Sequence, residues 1–261
     1  MGLSKRVSGT KTVIVPIEKV GRNPFPYVED LRDRYIKYID FCGVSSLPYS
    51  SSTPVTDSSK YLLSLADRNG NTYNIQDVPL EKFDLTLNWG IRPAIMRRLS
   101  LQDSHLICTD AGEVGKFAVF VFYYDEPMYA ARNTTTDVAV NAFEVSIVKA
   151  VQPNSFPDNR TMVDKRFRAV FFTPVATTPT YKTGFTFAES KDLYISLYKG
   201  NYAIIDTLPL MCLYAVNMVE PLEFANIQFD FTNSYVLVGG NGTNTQYIGR
   251  SLLLNAAYEN K

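Results

Sequence analysis

Lys60–Leu80, KYLLSLADRNGNTYNIQDVPL, is echoed in the second half of the chain by Asp192–Leu210, DLYISLYKGNYAIIDTLPL. Each stretch reads as a strand containing Ser-Leu, a Gly and Asn turn, a short second β run, and then Pro-Leu. Ser196-Leu197 lies 132 positions after Ser64-Leu65, whereas the Pro-Leu pairs lie 130 positions apart. The difference of two falls in the turn, where insertions are tolerated best.

This spacing persists along the chain, and the matched segments keep their order. Two unrelated β domains with a similar strand rhythm are the alternative, but the ordered series favours a tandem duplication with one β module in each half. The matches, 130 to 134 positions apart, are Glu18–Val20 with Val148–Ala150, Phe25-Pro26 with Phe156-Pro157, Leu31–Tyr35 with Val163–Phe167, Asp103–Ile107 with Asn233–Leu237, and Tyr124–Glu126 with Tyr258–Asn260.

Composition limits the classes of function. The chain has 261 residues, of which 46% are hydrophobic and 20% charged, as is typical of a folded globular protein. The formal net charge is +0, so a general electrostatic affinity for nucleic acid or an anionic membrane is not indicated. Cys42, Cys108 and Cys212 lie in apolar runs, which indicates buried thiols rather than a disulfide framework. No apolar run approaches the roughly 18 residues of a membrane span.

Alternation of apolar and polar residues predicts about eight strands in each half and no long amphipathic helix, so the predicted class is all-β. Phe117–Tyr124 is apolar throughout, as expected of a strand covered on both faces. The predicted strands are Lys11–Val20, Arg34–Cys42, Tyr61–Ala66, Thr72–Ile75, Phe83–Trp89, Ile95–Leu101, Ser104–Thr109, Lys116–Tyr124, Val138–Val151, Arg166–Thr173, Leu193–Tyr198, Tyr202–Ile205, Met211–Met218, Glu223–Phe231, Tyr235–Val238 and Tyr247–Ala257.

Eight strands in roughly 110–130 residues, with long loops, favour a jelly roll, in which two four-stranded sheets pack face to face. Seven-stranded immunoglobulin-like modules are the alternative. The predicted organisation is two tandem jelly-roll β-sandwich modules, a double jelly roll. Its parts are a flexible N-terminal arm at residues 1–10, a first jelly roll at 11–126, a linker at 127–137 and a second jelly roll at 138–261.

No residue stands out as catalytic, cofactor-binding or metal-ligating. His105 is the one histidine, and Tyr235 takes its place in the second half. Cys108, three positions further along the same predicted strand, points to the opposite face. Asp67–Asn71 resembles a calcium loop but lacks the spacing and distal Glu of an EF-hand, and Asn69-Gly70 is a strong hairpin signal. Several aspartates are interpreted as turn formers or solvated residues: Asp40, Asp57, Asp67, Asp77, Asp84, Asp206 and Asp230. Trp89 is interpreted as a core residue.

A chain of two similar jelly rolls without a visible active site resembles the double jelly-roll major capsid proteins of tailless icosahedral viruses, including phages with an internal membrane. The resemblance is architectural and covers Lys11–Asp125 and Val138–Asn260. It implies a structural virion protein, not an enzyme, that forms homotrimers with a pseudo-hexameric outline and tiles a capsid shell. Implied partners are further copies of the chain, minor capsid proteins and an inner membrane surface, with no sequence-specific nucleic acid and no cofactor. Met1–Thr10 would contact that inner face.

Two other functions remain open. A two-jelly-roll glycan-active hydrolase or carbohydrate-binding protein predicts acidic residues that converge where the modules meet, and usually an export signal, which the sequence does not show. A minor capsid or spike-base protein would use the same fold at another copy number. The capsid interpretation places the protein in the virion shell after synthesis in the host cytoplasm.

Overall fold

The computed structural model describes residues 7–68, 72–88, 92–125, 138–157, 165–180, 182–214, 223–228 and 230–259. The fold is all-β: within the described residues, sixteen strands form several sheets, and helical structure is limited to short 3-10 turns. Two compact units are present. One contains Thr10–Ser46 and Ser52–Pro127, and the other contains Met1–Gly9, Leu47–Ser51 and Met128–Lys261.

The first half of the chain contributes eight strands. They line up in the orders β1-β8-β3-β6 and β2-β7-β4-β5, so the first strand neighbours the last. The recorded pairs β3–β6, β3–β8, β2–β7, β4–β7 and β4–β5 are antiparallel. The strands are β1 (Gly9–Pro16), β2 (Gly21–Pro24), β3 (Tyr35–Phe41), β4 (Tyr61–Asp67), β5 (Tyr73–Pro79), β6 (Ala94–Arg97), β7 (Leu99–Cys108) and β8 (Phe117–Asp125).

The second half repeats this order with eight further strands. They line up as β9-β16-β11-β14 and β10-β15-β12-β13, which is the first pattern with every number raised by eight. All these neighbours run antiparallel. The strands are β9 (Val138–Ser146), β10 (Asn154–Ser155), β11 (Arg166–Phe172), β12 (Leu193–Lys199), β13 (Tyr202–Pro209), β14 (Glu223–Ile227), β15 (Asp230–Val238) and β16 (Ser251–Glu259).

A buried asparagine holds the first turn of each half. Asn23 is 1% exposed, and its Oδ1 accepts from the N–H groups of Glu18 and Lys19 at 2.8 and 3.1 Å. Asn154, also 1% exposed, accepts from Val148 and Lys149 at 2.8 and 2.9 Å. Asn23 Nδ2 donates to the Lys19 carbonyl, and Asn154 Nδ2 donates to the Lys149 carbonyl. The two halves therefore share a specific buried interaction as well as a strand order.

The Ser-Leu pair that reveals the repeat marks a bulge in each hairpin. Register shifts occur at Ser64 in β4 and at Ser196 in β12. Across the hairpin, Asp77 and Thr207 have φ of 50° and 51°, in the left-handed region that few residues other than glycine adopt. Their N–H groups each donate to the serine Oγ at 3.0 Å. The serines are needed because the bulge would otherwise leave a backbone donor without its ladder partner.

The core of the first unit confirms one strand prediction directly. Phe120 and Phe122 of β8 pack against Phe25, with ring centroids 5.1 and 6.0 Å apart. The alternate residues Val119, Val121 and Tyr123 are also fully buried. The continuous apolar run of this strand is therefore explained by burial on both of its faces.

The predicted strand at Phe83–Trp89 is wrong for its described part. Leu80–Phe83 forms a 3-10 turn, and the following residues turn rather than extend. Asp84 Oδ1 accepts from the N–H and the Oγ1 of Thr86 at 2.9 and 2.6 Å, a local bond that favours a turn over a strand. Trp89 itself lies outside the described residues.

Other predictions need correction at element boundaries. Two strands were predicted at Ile95–Leu101 and Ser104–Thr109. The structure instead has the short β6, which ends at Arg97, followed by one continuous strand, β7. The short strands β2 and β10 were not predicted. Leu210–Leu213 is a 3-10 turn where a strand was expected from Met211. The linker at 127–137 and the Asn69-Gly70 turn lie outside the described residues.

The predicted flexible arm also ends earlier than expected. Val7 is fully buried, and its N–H donates to the Glu223 carbonyl at 3.0 Å beside a parallel bridge to Phe224. β1 then begins at Gly9. Residues 7–10 are therefore packed, because a buried valine and a backbone hydrogen bond to β14 hold them. Residues 1–6, with Lys5 and Arg6, lie outside the described residues.

Candidate functional site

His105 and Cys108 lie apart from each other. His105 is 6% exposed and meets the edge of the Tyr73 ring at 5.6 Å between centroids. Burial, helped by the nearby Arg22 charge, lowers the pKa of this imidazole. Cys108 lies in the hydrophobic core and donates to the Asp110 carbonyl at 3.2 Å. All three cysteines are free and buried, which confirms the prediction of buried thiols.

Ser64 lies opposite His105 in the register of β4 and β7, but its hydroxyl donates to Asp77 at 3.0 Å. A catalytic serine needs a hydrogen bond to its base. The Ser64 hydroxyl instead bonds to Asp77 at the bulge, so Ser64, Asp77 and His105 do not form a catalytic arrangement.

Two aspartates that were interpreted as turn or surface residues are buried. Asp40 lies within β3 and is 2% exposed. Its Oδ2 accepts from Tyr123 Oη at 2.7 Å and from Arg92 Nε at 2.9 Å, while burial raises the pKa of the carboxyl despite the arginine charge. Asp84 is 3% exposed, and its Oδ2 accepts from Ser58 Oγ at 2.6 Å. Both carboxyls are occupied by neighbouring donors, as expected of buried polar groups that stabilise loops.

Three further aspartates, Asp57, Asp67 and Asp230, support local turns, whereas Asp77 and Asp206 lie within β5 and β13. Asp57 accepts from the Ser59 N–H at 3.0 Å, and Asp230 accepts from the Thr232 N–H at 2.9 Å. Asp67 accepts from Thr72 Oγ1 at 2.5 Å. Within the described part of the chain, no group of three or more His, Cys, Asp or Glu residues could hold a metal ion.

An ion pair connects a loop of the second half to its last strand. Arg250 donates to both carboxylate oxygens of Glu189, at 2.7 and 2.8 Å, and its guanidinium lies 4.3 Å from the centroid of the Phe185 ring. The arginine lowers the pKa of Glu189 to about 2. This bidentate geometry is the strong form of the interaction, and it holds the loop before β12 against the start of β16.

Exposed aliphatic residues recur on the turns that adjoin the buried asparagines. In the first half, Val20 and Val114 are 51% and 44% exposed. In the second half, Val148, Val151 and Ile248 are 59%, 57% and 47% exposed. The two turns of each half are joined by backbone bonds, Gly115 N to Ile17 O and Gly249 N to Ile147 O, both 2.8 Å. We call the turns that carry these five residues the paired turns; their exposed side chains offer apolar contact area.

A tyrosine cluster lies on the second unit. Tyr198 on β12 and Tyr235 on β15 have ring centroids 5.9 Å apart, and the Tyr235 hydroxyl hydrogen-bonds both Tyr198 and Tyr49. Asp206 of β13 lies close enough to influence Tyr49 and Tyr198 electrostatically. These residues come from four separated segments, so no motif in the sequence indicated that they meet.

Comparison with protein-family models, with curated proteins and with solved structures finds no match to this chain. In the described residues, no helix has the length and apolar character required to cross a membrane. The candidate functional surfaces are therefore the paired turns and the tyrosine cluster, which are identified by their own geometry.

Proposed function

We propose that each half of the chain is a jelly roll and that the protein is a structural virion protein, the major capsid protein of a tailless icosahedral virus. The observation that carries the proposal is the strand order. An eight-stranded jelly roll divides its strands into two sheets with the orders 1-8-3-6 and 2-7-4-5, and both halves of this chain follow those orders. The immunoglobulin-like alternative would place seven strands in a different order.

The internal repetition gives the capsid role a physical basis. A duplicated module lets three copies present six similar units, and this suits a shell whose lattice is hexagonal. Equivalent contacts need similar surfaces, and the paired turns supply exposed aliphatic side chains in both halves. Contact between copies would shield this apolar area from water.

Four buried polar side chains also favour a structural role over catalysis. Asp84, Asn23 and Asn154 bond to groups of nearby turns and loops, and Asp40 of β3 bonds to Tyr123 of β8. The proposed partners are other copies of the chain, in trimers and then in a lattice, together with minor capsid proteins and an inner membrane surface. The proposed location is the virion shell.

Light scattering on the purified full chain over a concentration series tests the proposal. A stable species of three times 29.4 kDa is expected. The matched variants Val114→Asp and Ile248→Asp place a charge on the paired turns of each half and should weaken any larger assembly while far-UV circular dichroism stays unchanged. A chain that remains monomeric at every concentration contradicts the trimer.

A further inference from the structure

Tyr49 has an unusual backbone conformation for a large residue. It lies in the Leu47–Ser50 turn, directly after Pro48, and has φ of 54°. Proline followed by a residue of positive φ is the pattern of a type II turn, which normally places Gly or Asn at the second position. For tyrosine this conformation costs on the order of 1–2 kcal/mol. Because Tyr49 is 55% exposed, burial of its ring offsets little of that cost.

The turn and the ring are nevertheless held firmly. The Leu47 carbonyl accepts from the Gly240 N–H at 2.9 Å, which connects the turn to the segment after β15. The Tyr49 hydroxyl is hydrogen-bonded to Tyr235, whose own ring packs beside Tyr198. Burial, the bond to Tyr235 and the nearby Asp206 charge raise the pKa of Tyr198 to about 12. Tyr198 and Tyr235 thus present two rings in a defined arrangement, and Tyr49 and the Asp206 carboxylate lie near them.

The strand pairing does not require Tyr198 and Tyr235. In the first half the positions that correspond to Tyr198 and Tyr235 hold Ala66 and His105, on strands with the same pairing. The bulge serine is common to both halves, but the tyrosines are not. Tyr49 is exposed and strained, and it lies beside two tyrosines that the strand pairing does not require. This points to function, because backbone strain persists where a site depends on it.

We infer that Tyr49, Tyr198, Tyr235 and Asp206 form a carbohydrate-binding site. The C–H face of a sugar ring stacks on an exposed aromatic ring, and its hydroxyl groups bond to phenol and carboxylate oxygens. Rings that are already held in place lose little conformational freedom when a ligand binds. Exposed residues on the cluster strands include the polar Thr232 and Asn233 and the aromatic Tyr202, a mixture that suits a saccharide. The inference does not depend on the capsid role.

The test compares binding with folding stability in one variant. The full chain is applied to an immobilised panel of glucose, galactose, mannose and N-acetylglucosamine oligomers, and the best binder is titrated by calorimetry. Tyr49→Gly should reduce affinity at least tenfold while the urea midpoint stays constant or rises, because glycine adopts positive φ without strain. Tyr49→Phe retains stacking and should lose less, and Asp206→Asn should also weaken binding.

Tyr27→Ala is the matched control, since Tyr27 is 54% exposed in the other unit. Its affinity should equal that of the unmodified protein. The inference is overturned if no saccharide on the panel binds, or if Tyr49→Gly binds normally. It is also overturned if Tyr49→Gly reduces the free energy of unfolding by as much as it reduces the free energy of binding, because the tyrosine would then serve folding.

Discussion

The duplicated turns predict that Asn23→Ala and Asn154→Ala cause similar losses of stability. Each side chain is 1% exposed, accepts two backbone N–H groups and donates to a backbone carbonyl. A hydrogen bond contributes about 1 kcal/mol net, and a buried group left without a partner costs about 1–3 kcal/mol. Water can reach the outer residues of these turns, so we expect each variant to lose about 2–4 kcal/mol.

Urea denaturation followed by far-UV circular dichroism measures this loss. If the two units unfold separately, two transitions appear, and each variant should shift a different one by a similar amount. Asn255→Ala is the control, because the described residues give Asn255 no side-chain hydrogen bond, and it should change stability by less than about 0.5 kcal/mol. A loss below about 0.5 kcal/mol in either test variant would refute the claim that these asparagines hold equivalent turns.

Three further predictions concern single contacts. Glu189→Gln should reduce the free energy of unfolding by about 2 kcal/mol at pH 7. The pKa of Glu189 falls from 4.5 to about 2 on folding, so the carboxylate stabilises the fold above this interval and loses that effect as pH falls through it. Urea denaturation in a pH series should therefore show the difference between variant and unmodified protein disappear at low pH. Gly184→Ala would place a Cβ 2.1 Å from the Val175 carbonyl oxygen, so we expect the free energy of unfolding to fall by about 2–3 kcal/mol and the thermal midpoint to fall with it. Gly112→Ala, whose Cβ would meet a flexible side chain at 3.2 Å, should lower both quantities less. Val7→Asp places a charge at a fully buried position, so faster proteolysis near β14 is expected, and an unchanged rate would contradict the packing of this segment.

The sequence was most informative where repeated residues carry a specific bond. Ser64 and Ser196 align because each accepts the N–H of a bulge residue, and such a bond restricts the choice of side chain. The apolar run of β8 predicted its burial for a similar reason. In both cases the signal in the sequence and its physical cause lie in the same few residues.

Other features depend on contacts that a local pattern does not contain. β2 and β10 are short, and β2 includes a proline, so they are strands only because β7 and β15 pair with them. Asp84 belongs to an alternating segment, but its side chain bonds locally and produces a turn. The tyrosine cluster could not be predicted, because Tyr49 and Tyr235 are distant in sequence and meet only in the folded chain.

Electron microscopy of the concentrated, purified chain would show directly whether it assembles as a capsid protein. Trimers with a six-lobed outline are expected, and at higher concentration hexagonal sheets or closed shells built from them. Uniform small particles without three-fold symmetry or a repeating lattice would contradict a capsid role, whatever the strand order of each half.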